Sequence, residues 1–251
     1  MIDGHRPRIL PVVHTLLLLL VLSPANAKKP APPPAPAWKA TEADAADQKV
    51  GMDALLAQDW AAAEAAFRKV LTTEPDCGQA LTGLARALVM QGKPADALDP
   101  AKHAAGQNAD QVEAHLWYAR AAAATNDADL ALTEAKAVLG LKPGNVDGQR
   151  IAQTVLVARK DYASGHTLVA ASRAASNHVA WDCFDGILYA DEDNLDAVVP
   201  LTDNCAHAPD ATLYAEFQKA VADAEARKAA AAPPPPPPPP PAPPPPKGKK
   251  K

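Results

Sequence analysis

The sequence predicts an all-α fold of stacked helical hairpins closed by a C-terminal capping helix and flanked by disordered proline-rich segments. Three observations predict it. Hydrophobic residues make up 48% of the 251 but aromatic residues only 4%. The balance is largely alanine, which favours helix and fills little volume, whereas a β-sandwich or barrel needs more β-branched and aromatic side chains. The 27 prolines avoid the middle, with five between Pro30 and Pro36, thirteen between Pro233 and Pro246, and only six inside residues 39–229. Small residues, finally, recur through that middle at a spacing of 34.

Residues 1–27 read as a secretory signal peptide. Arg6 and Arg8 precede a mostly apolar stretch over 9–22, and Ala25-Asn26-Ala27 supplies an A-x-A cleavage site. The apolar stretch falls short of the ~20 residues a spanning helix requires. Cleavage is expected after Ala27, with export to the periplasm of a Gram-negative bacterium. Residues 28–38 form a proline-rich linker carrying Lys28 and Lys29.

The domain that follows spans 39–230. Ala63, Ala97 and Ala131 are spaced by 34, and Gly165 continues the series. Four residues after each come Phe67, Ala101, Ala135 and Val169, and twelve before each lie Gly51, Ala85, Ala119 and Gln153. Gly51, Ala85 and Ala119 are small where a neighbouring helix crosses closely. Asp59, Asp127 and Asp161 suit the N-cap of each second helix, and Pro94 a first helical position. Gly92 and Asn126 fit the left-handed residue that ends a first helix, while Pro75 and Pro143 stop a second one.

This pattern resembles the tetratricopeptide repeat (TPR), a helix–turn–helix unit of the same period with small residues, an aromatic residue and a closing proline at fixed offsets. Four units follow, at about 44–77, 78–111, 112–145 and 146–179, then a shortened pair over 180–206. A cap helix over 210–230 begins at Asp210 and is amphipathic through Leu213, Phe217 and Val221. The resemblance implies a right-handed α-solenoid whose first helices line a concave groove. On that register Met52, Leu55, Arg86, Val89, Met90, Leu116, Arg120 and Arg150 line the partner-binding face. Arg86 and Arg120 occupy one position in adjacent units, so they either grip a partner's carboxylates together or pair with nearby acids such as Glu113 or Asp147. The lysine and asparagine set of the family's carboxylate-clamp members does not occur, so that activity is not implied.

Cys183 and Cys205 fall near ends of antiparallel helices that meet, so a disulfide is geometrically feasible; two buried thiols are the alternative. A Cys2His2 metal site with His178 and His207 fits no standard zinc spacing, and no metal or other cofactor is expected. No G-x-S-x-G, H-E-x-x-H, Walker or C-x-x-C signature occurs, which argues against an enzyme. With Asp3, Arg6, Arg8, Lys28, Lys29 and the four tail lysines set aside, 17 basic residues face 28 acidic ones. So acidic a domain is no nucleic-acid binder.

Residues 231–251 form a polyproline tail with a basic tip, Lys247, Lys249, Lys250 and Lys251, suited to weak contact with anionic lipid or envelope polymer. The functional expectation is a non-enzymatic scaffold in the periplasm or cell envelope that binds a protein or peptide along its groove. Two alternatives stand beside it: a structural envelope protein tethered by its tail, and an accessory subunit, inactive alone, of a cell-wall or polysaccharide-processing complex.

Overall fold

The computed structural model describes residues 42–232, which belong to one unit of the chain. The leader, the proline-rich linker and the tail from residue 233 lie outside the described residues. Every regular element described is helical. Four hairpins follow one another: α1 (Glu42–Leu56) with α2 (Trp60–Thr73), α3 (Gly78–Met90) with α4 (Pro94–Gln107), α5 (Val112–Ala124) with α6 (Ala128–Leu141), and α7 (Val146–Ala158) with α8 (Tyr162–Ala175). Each helix packs on its hairpin partner and on the first helix that follows.

Local chemistry sets the stride. Each first helix ends in a residue with positive φ, namely Gln58 (59°), Gly92 (74°), Asn126 (61°) and Lys160 (56°), each one full repeat beyond the last. Asp59, Asp127 and Asp161 then accept from the amides of Ala62, Leu130 and Ser164, satisfying donors that the helix start leaves orphaned. Lys93 gives α4 no such bond, and Pro94 opens that helix instead. Pro75 and Pro143 fall just beyond the ends of α2 and α6.

The small residues sit where large ones press. Ala63, Ala85, Ala97, Ala119 and Ala131 are fully buried. Phe67 on α2 is enclosed by Gly51 of α1 and Gly83 of α3, where an added Cβ would meet its ring at 2.7 and 2.4 Å. Gly165 makes the same room for Leu188, and Gly186 for Phe217. At the fourth unit, Gln153 stands where alanine or glycine stands elsewhere. It is buried and donates from Nε2 to the Phe184 carbonyl at 3.0 Å, tying α7 to the first helix of the following pair.

The shortened pair departs from the expected outline. Helix α9 (Ala180–Asp191) is continuous, but its partner is broken into α10 (Leu195–Val198), a 3₁₀ turn at Val199–Leu201, and α11 (Thr202–Ala206). Pro200 explains the break, since it lacks the N–H that a continuous helix needs. Cys183 of α9 and Cys205 of α11, both fully buried, are joined in a disulfide, and Cys77 is free and buried. The last helix, α12 (Ala211–Ala231), packs chiefly against α9 through Leu213, Phe217 and Ala224, with Val221 only partly covered. Asp210 caps it through the Thr212 and Leu213 amides.

Candidate partner-binding groove

Successive first helices touch, α1 to α3, α3 to α5, α5 to α7 and α7 to α9, while no two second helices pack comparably among the described residues. Hairpins that approach on one side and separate on the other make a curved stack, with the first helices on the inside. That inner face is where the eight residues picked out by register belong, and the structure divides them.

Met52 and Met90 are 46% and 45% exposed, and Leu56, at the register of Met90 one unit earlier, is 77% exposed. Val89 is half-buried and packs on the core. Leu55 and Leu116 do not line the face: each is 3% exposed. Leu55 belongs to the cluster around Phe67 and Val70, and Leu116 is one of the buried residues of α5.

The three arginines lie in different surroundings. Arg120 pairs with Asp147 of α7 at 3.0 Å. Arg150 is taken by the chain itself, reaching Asp210 at the start of α12 and Glu216 within it, the latter at 3.2 Å. The Leu213 amide, together with Arg150 and the Thr212 amide, holds the Asp210 carboxyl below its usual range. Arg86 pairs with no carboxylate among the described residues, and its Nε is buried without a hydrogen-bond partner.

What gathers Arg86 and Arg120 is Trp117. Their guanidinium carbons lie 5.4 and 4.5 Å from the centroid of its ring, a cation–π arrangement. The indole itself is 5% exposed, and its Nε1–H donates to Glu113 at 3.1 Å. Register reasoning misses Trp117 and Leu56, yet each carries a signal. Trp117 is three residues before Arg120 on one helix face, and Leu56 is one period before Met90.

Two hollows of about 410 Å³ flank this part of the inner face. One is walled by Ala131, Ile151 and Val155 between α5, α6 and α7, with Arg150 and Arg159 at its rim. The other lies between α7, α9 and α12, lined by Gln153, Val157, Phe184 and Ile187. Among the described residues no cluster of His, Cys, Asp or Glu has the arrangement to hold a metal ion, and no helix is long and apolar enough to cross a membrane.

Helical hairpins repeating at one fixed period with their first helices inside define a tetratricopeptide-type solenoid. The family model described as tetratricopeptide repeat matches residues 54–99. Solved structures share the fold at low identity. A tetratricopeptide repeat protein from Parabacteroides merdae superposes with a TM-score of 0.62 at 16% identity, covering 76% of this chain and 77% of that one. TTC0263, a thermophilic TPR protein of Thermus thermophilus, gives 0.53 at 17% identity over 72% of this chain and all of its own. YrrB, described as a TPR protein with an unusual peptide-binding site, gives 0.55 at 15% identity over 69% and 90% of the two chains. No curated protein matches.

Proposed function

We propose that the protein is a non-enzymatic scaffold that is exported to the periplasm and binds a partner protein or peptide along its inner face. The observation that carries this reading is the stretch over α1, α3 and α5 that no other described residue covers. There Met52, Leu56 and Met90 stand exposed beside a cationic pair, whereas α12 occupies the face beyond Arg150. Solvent-exposed apolar side chains grouped beside fixed charges are the usual anatomy of a docking site. The thioether side chains adapt to varied apolar shapes. The peptide-binding neighbour YrrB supports the same use of the fold.

Export is supported by the leader's charge, apolar stretch and A-x-A site. The Cys183–Cys205 disulfide is also of the kind that persists in an oxidising compartment. The lysine-tipped tail adds a second, weaker contact with anionic envelope polymer or lipid, at about 1 kcal/mol per lysine.

A photoreactive residue placed at Met52 or Met90 in the native host is expected to trap one and the same partner. Placed at Lys102, an exposed position on the outer helix α4, it is expected to trap none. Equal capture from both faces overturns the groove reading, as does capture from neither.

A further inference from the structure

Two inner-face arginines that share one register, Arg86 and Arg120, differ in their partners. Arg120 meets Asp147 on the next first helix. One repeat earlier, the equivalent two positions hold Arg86 and Glu113. Glu113, however, accepts from the indole N–H of Trp117 at 3.1 Å and forms no ion pair with Arg86. The residue corresponding to Trp117 one unit on is Ile151, which has no side-chain N–H to offer, and there the arginine keeps its acid. Arg86 thus lacks the carboxylate that Arg120 has at the same register, and its guanidinium lies over the Trp117 ring with the Nε unpartnered. A ring face attracts a guanidinium but accepts none of its hydrogen bonds in the plane of the fork. Every other arginine of the described residues holds a carboxylate.

From this we infer that Arg86 is the anion-recognition point of the groove. Its ligand is a carboxylate side chain on an extended segment of the partner, flanked by an apolar side chain that lies against Met52 and Leu56. The inference rests on the groove reading above and gives its occupant a chemistry. A planar guanidinium already oriented on an aromatic ring loses little freedom when it takes a carboxylate bidentately.

The test uses the mature full chain and fluorescein-labelled ten-residue peptides carrying one Leu and one Glu three residues apart, or one Leu and one Gln. Fluorescence anisotropy reads the dissociation constants. The Glu peptide is expected to bind about tenfold tighter than the Gln peptide, the usual size of one charge-assisted hydrogen-bonded pair. Arg86→Gln erases that preference, and Arg86→Lys, which keeps the charge but not the fork, retains only part of it. Trp117→Leu removes the ring that orients the Arg86 guanidinium, so it too diminishes the preference. Arg68→Gln, on the outer helix α2, leaves it intact, and circular dichroism on each variant reports folding.

Equal binding of the two peptides to the wild type overturns the Arg86 inference while leaving the groove reading standing. A preference that survives Arg86→Gln in a folded protein overturns it as well. Failure of both peptides to bind sinks both readings.

Discussion

Replacing Gly83 by alanine tests how the hairpins are spaced, because two opposing effects of known size meet at one atom. Alanine is the better helix former by about 1 kcal/mol in a helix interior. Against that, the new Cβ would lie 2.4 Å from Cζ and 2.5 Å from Cε2 of Phe67, where ordinary contact begins at 3.4 Å. The ring would have to retreat by roughly 1 Å, and Gly51 on its far side leaves it nowhere to go, since that contact is also close packed. Overpacking of this kind costs about 1–3 kcal/mol, so Gly83→Ala is expected to destabilise by about 1 kcal/mol net. Phe67→Leu removes the Cε and Cζ atoms that the methyl strikes. In that background the same Gly83→Ala change should stabilise by about 1 kcal/mol, the helix preference alone. Urea unfolding of the four proteins closes the double-mutant cycle, with an expected coupling of about 1–3 kcal/mol. Equal shifts of the midpoint in both backgrounds would refute the argument that the ring sets the distance between α1, α2 and α3.

Three further outcomes follow from local geometry. Burial raises the Glu64 carboxyl, but hydrogen bonds from Gln91, Arg68 and Lys93 outweigh it and hold the group down to about 2, against an ordinary 4.5. Its stabilisation is therefore complete above about pH 4.5 and lost as pH falls towards 2; Glu64→Gln should flatten the pH dependence of the urea midpoint in that window. Cys205→Ser opens a disulfide that spans 22 residues, and loop entropy predicts a loss of about 3 kcal/mol. Wild type in reductant should match the variant, which itself should ignore reductant. Lys160→Gly relieves a lysine at φ 56° and should raise thermal stability by about 1 kcal/mol, whereas Gly92→Ala, at φ 74°, should lower it by a similar amount.

The architecture is legible because the repeat is written in residues whose physical cause is local. Alanines at the crossings, aspartates at the caps and prolines beyond the helix ends each announce their role in the sequence. The left-handed residues are only half legible. Gly92 and Asn126 are types that favour positive φ, but Gln58 and Lys160 adopt it because the period requires a turn there. The broken helix around Pro200 is not foreseeable from the proline alone, since Pro100 sits inside the continuous α4. The inner face is harder to read, because register tells which side of a helix a residue occupies but not how closely the next helix covers it. So register assigns Leu55 and Leu116 to the groove, and both lie in the core. Trp117 escapes because its part, one ring shared by two arginines a repeat apart, shows only when the distances are known.

The same distances constrain what can lie in the open stretch. First helices in contact have axes about 8–10 Å apart, and an extended chain advances ~3.3 Å per residue. Met52 on α1 and Arg86 on α3 hold the same register in adjacent units. A segment crossing the helices must then place its apolar side chain and its carboxylate about three residues apart to reach both. Three first helices offer roughly 20–30 Å before the segment meets α12, which is about six to nine residues of extended chain. A peptide with the same Leu and Glu made adjacent should therefore bind no better than one lacking the Glu, because only one anchor can be seated at a time. If the adjacent pair binds as tightly as the spaced one in the anisotropy assay, the occupant does not cross the helices in extended form.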